Sequence, residues 1–240
     1  MNRIGAQAMP RYRLYREHKF VSIQVSDLER FIAKVDFTDF KQIAEVKNKL
    51  GGIIELMENH AKHEEERIHP LLKKKSSELI KTIEVEHQGH KILFEDLNRR
   101  LAEIEATNQK TDGTEAKERL IALGYEFYLA YRNFVAINLT HINEEENLIM
   151  PEIQKYYTDK EIKEAVDFPV YESISADDMV DMMSVLFPTM NIDDKEAFLR
   201  DLDESQSEKF LEAWPKIALT LDEKEMSQLI EKLGRKKYGI

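Results

Sequence analysis

Two stretches of this sequence share one spacing, HAKHEEERIHP at residues 60–70 and HINEEENLIMP at residues 141–151, and both fit the pattern HxxxEExxxxP. A histidine and a glutamate four residues apart lie about one turn apart on the same face of an α-helix. Each stretch therefore presents an imidazole and a carboxylate side by side, His60 with Glu64 and His141 with Glu145. The repeated pair predicts two helices that each carry a chelating face.

The helical pattern extends outward from both stretches. Apolar residues recur at steps of three and four through four long segments, of which the second is expected to end at Pro70 and the fourth at Pro151. The third is expected to begin at a cap on Ser76 or Ser77, and glycines at 51–52 favour a kink in the second. Because the connections are short, we predict an all-α fold, an antiparallel up-down four-helix bundle.

The inward faces of these helices contain polar residues where core residues are expected. They are His18, His60, Glu64, His87, His90, His141 and Glu145. Burying an unpaired carboxylate costs several kcal/mol, against a net stability of roughly 5 to 15 kcal/mol for a domain. A multivalent cation removes that cost, so the pattern predicts a metal site. His63 could be an outer ligand or a surface residue, and His69 falls off the inward face.

The predicted helices become short after Pro151. Thr158 with Glu161 has the signature of a capping box, and the stretch DFPVYES at 167–173 is typical of a linker. We therefore predict a metal-binding bundle at 1–168 and a small C-terminal helical region at 169–240. Four helices are expected in that region, at 176–187, 193–202, 205–219 and 222–233, with Gly234 after the last.

Composition narrows the chemistry. The 240 residues include no cysteine, so a metal must be held by histidine and carboxylate, and disulfides and cysteine nucleophiles are excluded. A formal charge of −11 disfavours nonspecific binding to nucleic acid and to anionic membranes. No apolar run approaches a membrane span and the first residues lack the apolar core of a secretory signal, so we expect a cytoplasmic protein with neither nucleic acid nor membrane as a partner.

On these motifs the sequence resembles the hemerythrin-like, or HHE cation-binding, domain over about residues 10 to 155. The resemblance implies a non-haem di-iron centre inside the bundle; zinc and manganese are the alternatives that the same donor atoms permit. It implies one set of ligands: His18 from the first helix, His60 and Glu64 from the second, His87 and His90 from the third, and His141 and Glu145 from the fourth. Glu64 and Glu145 would bridge the two irons, while Glu65 and Glu146 would lie behind the ligands or face solvent.

Two features depart from the oxygen-carrying members of that family. Their third-helix histidines are spaced HxxxH, whereas here the spacing is His87-Gln88-Gly89-His90, and their fourth-helix carboxylate is an aspartate one residue further along. Reversible oxygen carriage is therefore not expected. Two histidines three residues apart can still face one bundle interior, and Gly89 would allow a local helix irregularity of the kind seen at functional sites. In the alternative, His90 is not a ligand and one iron lacks that nitrogen. Ferritin-like proteins fit less well, because they use about four carboxylates and two facing Glu-x-x-His motifs. The inward faces here offer five histidines and two glutamates, and the motif of Glu84 and His87 is expected to have no second copy facing it.

We expect a protein whose two irons bind or react with oxygen, nitric oxide or peroxide, in sensing, scavenging or iron handling. Enzymatic turnover is left open, because no hydrolase or transferase signature is present and only metal-based redox chemistry has support. In the alternative, the metal stabilises an interaction or signalling module whose C-terminal helices contact a protein partner or a second copy of the chain. The methionines of that region are interpreted as core filling, with adaptable contact as the alternative: Met179, Met182, Met183 and Met190.

Overall fold

The computed structural model describes residues 15–75, 79–110 and 113–234, and in these ranges every regular element is a helix. The elements in chain order are α1 (Tyr15–Ile32), α2 (Phe40–His63), the π-helical segment π1 (Glu64–Ile68), α3 (His69–Lys73), α4 (Leu79–Lys110), α5 (Thr114–Glu144), the π-helical segment π2 (Glu145–Ile149), α6 (Met150–Ile153), α7 (Asp159–Val166), α8 (Phe168–Ser173), α9 (Ala176–Leu186), a 3-10 turn (Phe187–Thr189), α10 (Ile192–Ala218) and α11 (Glu223–Leu233). The all-α class is confirmed for this part of the chain. The up-down order of the helices stays a prediction, and the cap expected at Ser76 or Ser77 lies outside the described residues.

The chain divides into two compact units. Phe20–Ile149 form the bundle unit, and Met1–Lys19 together with Met150–Ile240 form the terminal unit. The predicted division into residues 1–168 and 169–240 concerns independent folding and stays a prediction. Among the helices that the structure describes, none combines the length and the apolarity needed to span a lipid bilayer.

The core of the bundle unit is built from α1, α2, α4 and α5. Its largest buried side chains stand on one face of α5 and include Phe127, Tyr131 and Phe134. The Tyr131 hydroxyl donates to the carbonyl of Val25 on α1 at 3.1 Å, and the ring of Phe94 on α4 meets Phe134 edge-on. These contacts tie three of the four helices to one another through α5.

Gly124 lets α5 approach the connection between α1 and α2. A β-carbon added at Gly124 would lie 2.3 Å from Cδ2 of Phe37, which is too close for any real contact. Only glycine therefore fits this position while the Phe37 ring keeps its place. In contrast, a β-carbon added at Gly51 or Gly89 meets nothing within 4 Å.

Both helix ends predicted at prolines are wrong. Pro70 is the second residue of α3 and Pro151 the second residue of α6, so neither proline ends its helix. In π1 the His69 N–H donates to the Glu64 carbonyl five residues back. This wider turn shifts the register of the helix by about one residue just before Pro70. Helix therefore continues from Phe40 to Lys73 and from Thr114 to Ile153.

Local irregularity does not occur where glycines suggested it. α2 continues through residues 51–52 without interruption, and α4 continues through Gly89. The kink expected in α2 and the irregularity expected at Gly89 are therefore wrong. The irregular turns start instead at Glu64 and Glu145, the acidic residues of the two repeated stretches.

The terminal unit confirms some of the predicted helix signals and corrects others. The capping box of Thr158 and Glu161 is confirmed at the start of α7, and Gly234 follows α11 with a positive φ of 92°. The stretch 167–173 is not a linker, because it contains α8. The two helices predicted at 193–202 and 205–219 correspond to the two parts of α10, which are separated by a kink at the non-helical residue Gln206.

The terminal unit has its own apolar core and a set of buried ion pairs. Met179 and Met183 are fully buried there, which confirms the core-filling interpretation for both. The first turns of α1 are tied to α10: Arg16 Nη2 lies 2.7 Å from an Asp201 carboxylate oxygen, and Lys19 Nζ lies 2.6 Å from one of Asp194. Arg16 and Asp201 are both buried, so this pair fixes the start of α1 on the terminal unit.

Candidate metal site

Five buried side chains of the bundle unit converge at the level of the two π-helical segments. The potential ligand atoms form two sets, and within each set all atoms lie within 4.8 Å of one another. One set contains Glu64, His87, His141 and Glu145, and the other contains His60, Glu64 and Glu145. Glu64 and Glu145 belong to both sets, and their exposed fractions are only 1% and 4%. The two acidic residues therefore lie at the centre of the cluster, with histidines around them.

The two repeated stretches have the same internal geometry. His60 Nε2 lies 3.1 Å from Oε1 of Glu64, and His141 Nε2 lies 3.2 Å from Oε1 of Glu145. Both distances follow from the i,i+4 spacing on a helical face. The second oxygen of Glu64 lies 3.3 Å from His87 Nε2, so this carboxylate meets imidazoles from α2 and from α4.

A sixth buried residue, His69, was missed by the sequence analysis. Its ring stacks on that of His87 with centroids 5.2 Å apart, and its exposed fraction is 2%. A regular helix of 3.6 residues per turn places His69 off the inward face, but the wider turn of π1 brings residue 69 back to the side of Glu64. Pro70, which a continuous α-helix would not tolerate, was the available signal.

Two carboxylates lie behind the histidines. Glu86 Oε2 lies 2.8 Å from His141 Nδ1, and Glu65 Oε1 lies 3.3 Å from His87 Nδ1. A carboxylate at Nδ1 keeps the proton there and leaves Nε2 as a lone-pair donor toward the cluster. Glu65 fits the expectation of a residue behind the ligands. Glu86 was not predicted. It is a partly exposed acidic residue on α4, and nothing in the sequence distinguishes it from the other acidic residues.

The histidines of the cluster differ in pKa according to their partners. Burial acts to lower the pKa of His141, but the carboxylates of Glu145, Glu64 and Glu86 together outweigh it and raise the pKa to about 9. The same balance, with Glu64 as the partner, raises the pKa of His87. His90 has no such carboxylate against it, so burial lowers its pKa to about 4. The partner carboxylates thus favour the protonated form of His141 and of His87, and a bound cation would compete with those protons.

Two residues that the sequence analysis considered as ligands, His90 and His63, lie outside the clustered atoms. His90 is buried with its ring edge-on to His141, centroids 4.8 Å apart, but none of its atoms is among the clustered ones. His63 is half-buried at the end of α2 and likewise not part of the cluster. His18 is buried on α1 in the segment that groups with the terminal unit. The roles of these residues as ligands stay predictions.

The donor set fits a multivalent cation. Two carboxylates buried this close together repel each other and lose their hydration, and such a pair persists only when positive charge compensates it. The neighbouring imidazoles supply nitrogen donors, and the chain has no cysteine to supply a thiolate, which suits iron, manganese or zinc. Fold and site together define a helical metal-binding protein with a site of histidine and carboxylate.

Comparison with known families agrees with this class. The family model described as Hemerythrin HHE cation binding domain matches residues 9–153. This match covers more than half of the chain, and the chain belongs to that family. Searches of curated proteins and of solved structures gave no match.

Proposed function

We propose that the bundle unit binds two iron ions and that these ions bind or react with oxygen, nitric oxide or peroxide. The observation that carries the proposal is that Glu64 and Glu145 belong to both sets of clustered atoms. A carboxylate has two oxygens, so a residue shared by two donor sets is suited to bridge two ions. One ion would take His60 with the shared carboxylates, and the other would take His87 and His141.

The full proposed ligand set keeps the residues that the family resemblance implies. It consists of His18, His60, Glu64, His87, His90, His141 and Glu145. Bound iron would supply the electrons and the open coordination position that a reaction with oxygen or peroxide requires. The protein contributes orientation: Glu86 and Glu65 hold protons at Nδ1 of His141 and His87, so that Nε2 of each stays available.

Metal analysis of the full chain tests the two-ion proposal. Protein purified without a histidine tag should contain about two iron atoms per chain and show ferric absorption in the near ultraviolet. Glu64→Ala should lose most of this iron. Glu66→Ala is the matched control, because Glu66 lies in the same π-helical segment but is exposed, with its carboxylate 3.9 Å from Lys62 Nζ. A single tightly bound zinc ion, or equal iron loss in both variants, would refute the proposal.

Reactivity needs a separate experiment. Ferrous protein prepared without oxygen should change its absorption spectrum within minutes of mixing with oxygen, nitric oxide or hydrogen peroxide. A lasting adduct with one of these molecules would support binding and sensing, and conversion to the ferric form by peroxide would support scavenging. If none of the three molecules changes the spectrum of an iron-loaded sample, the proposed reactivity is wrong and the iron is structural.

A further inference from the structure

Helix α1 belongs to both units of the chain. It runs unbroken from Tyr15 to Ile32. Its residues up to Lys19 group with the terminal unit, and those from Phe20 onward group with the bundle unit. Each residue of an α-helix rises about 1.5 Å and turns about 100° from the one before, so the two ends of a helix keep a fixed relation. Fixing the first turn of α1 therefore also fixes the direction and the height of the side chains that follow it.

The first turn of α1 is fixed by Arg16, which lies among buried side chains of the terminal unit. Arg16 Nη2 lies 2.7 Å from a carboxylate oxygen of Asp201 on α10 and 4.0 Å from one of Asp167. The guanidinium also lies over the ring of Phe198, 5.1 Å from the ring centroid. Asp201 is itself held by a second partner, Lys163, at 2.5 Å. Because a buried charge that loses its partner is strongly destabilising, Arg16 has one stable position on the terminal unit.

Lys19 attaches the next turn of α1 to the same helix of the terminal unit. Its Nζ lies 2.6 Å from Oδ2 of Asp194, a buried residue that belongs to the capping box at the start of α10. Lys19 and Arg16 are about 60° apart around the axis of α1. His18 is about 100° from Lys19 and about 160° from Arg16, and its side chain is buried. The terminal unit thus holds one face of α1, and His18 stands on another.

We propose that the terminal unit positions His18 for iron, with Asp201 on α10 as the positioning residue. This inference rests on the proposed function, in which His18 is the ligand that α1 supplies. His18 is two residues from Arg16 and one residue from Lys19, so the two ion pairs determine where its imidazole lies. A ligand that is oriented before the ion arrives costs little ordering free energy on binding. The affinity for iron therefore depends on Asp201, although Asp201 touches no ion.

The linkage between iron and the terminal unit acts in both directions. If the ion pair of Arg16 and Asp201 raises the affinity for iron by some factor, bound iron stabilises that ion pair by the same factor, because coupling free energies are reciprocal. Iron held by His18 therefore strengthens the attachment of α1 to α10. In this way α10, which supplies none of the proposed ligands, responds to whether iron is bound.

Three substitutions separate positioning from general stability. Asp201→Asn removes the charge that holds Arg16 and keeps nearly the same side-chain volume, and Asp201→Glu restores the charge. Glu225→Gln is the matched control, because Glu225 pairs with the buried Lys195 and so joins α10 to α11. Asp201→Asn and Glu225→Gln each remove a carboxylate that pairs with a buried cation in the terminal unit, but only the first acts on α1.

The first measurement is the affinity of the full chain for ferrous iron, found without oxygen by competition with a coloured chelator. Asp201→Asn should weaken binding about tenfold, as expected for a residue that orients a ligand without touching the ion, and Asp201→Glu should recover most of the loss. Glu225→Gln should stay within about twofold of the wild type. In a chain that carries His18→Ala, Asp201→Asn should have no further effect, because its action passes through His18. Equal losses in Asp201→Asn and Glu225→Gln, or an undiminished effect of Asp201→Asn beside His18→Ala, would overturn the proposal.

Lys19→Gln provides a second variant if Asp201→Asn does not fold. The Lys19 side chain is 40% exposed, so its replacement disturbs the terminal unit less than a change at the buried Asp201. Lys19→Gln should weaken iron binding about threefold in the wild-type chain and have no effect beside His18→Ala. A wild-type affinity in Lys19→Gln would overturn the proposal.

The second measurement follows the reverse direction by amide hydrogen exchange and does not depend on the reactivity of the iron. In the wild-type chain, iron should slow exchange in α10, and in His18→Ala at saturating iron it should not. Equal exchange in α10 with and without iron in the wild type would overturn the proposal. If the wild type binds two irons and Asp201→Asn binds them equally well, the positioning role fails and the proposed function stands. If the wild type binds no iron, the proposed function fails, and this inference fails with it.

Discussion

Replacing Glu86 by alanine should weaken the binding of iron, although Glu86 touches no metal in the proposed ligand set. Its carboxylate lies 2.8 Å from Nδ1 of His141 and holds the proton that keeps Nε2 directed toward Glu145. Losing such a partner typically lowers metal affinity by about 10- to 100-fold. Because the Glu86 side chain is 29% exposed, water can replace part of this hydrogen bond, and we expect the lower end, about tenfold or roughly 1.4 kcal/mol.

Glu84 provides the control on the same helix. Its carboxylate pairs with Lys73 at 2.8 Å, and both side chains are about half exposed. Water therefore screens this ion pair, and Glu84→Ala should leave both stability and metal affinity nearly unchanged. Affinity is measured without oxygen by competition between the full chain and a coloured ferrous chelator. Equal iron affinity in Glu86→Ala and Glu84→Ala would refute the role of Glu86 in orienting His141.

Three further predictions concern stability. Gly124→Ala should lower the free energy of unfolding by about 1 to 3 kcal/mol, because the new β-carbon would lie 2.3 Å from Phe37. Gly51→Ala should raise the free energy of unfolding by about 0.5 to 1 kcal/mol, because its β-carbon meets nothing. Urea titrations that show the same sign for both variants would contradict this packing argument. Tyr131→Phe should cost about 1 kcal/mol in the same assay, the value of its buried hydrogen bond, and an unchanged midpoint would show that the bond contributes nothing. A chain ending at residue 168 should melt at a lower temperature than the full chain in calorimetry, because the buried Arg16 of α1 loses its partner Asp201 on α10. An unchanged melting temperature would instead favour an independent domain at 1–168.

The sequence was informative where an interaction depends on neighbours along one helix. His60 and Glu64 meet because four residues make about one turn, and the same holds for His141 and Glu145. The capping box at Thr158 is equally local. Such features follow from spacing and residue type alone, and the structure places them as expected.

Features that depend on contacts between helices, or on a change of helical register, could not be inferred in this way. Glu86 meets His141 only because α4 lies against α5, and nothing in its neighbourhood on the chain indicates this. His69 enters the interior because π1 adds a residue to one turn. In each case the decisive term is packing rather than local propensity.

The π-helical turn at Glu64–Ile68 also determines how this site can change by insertion and deletion. A π turn contains about one residue more than an α turn, so deleting one residue within it would restore a regular helix. Every residue from His69 to Lys73 would then rotate by about 100° around the helix axis, while Glu64 and the helix before it kept their places. His69 would leave the ring of His87 in that single step. A one-residue gap in this segment can therefore alter the surroundings of the cluster without any change in the repeated histidine and glutamate pairs.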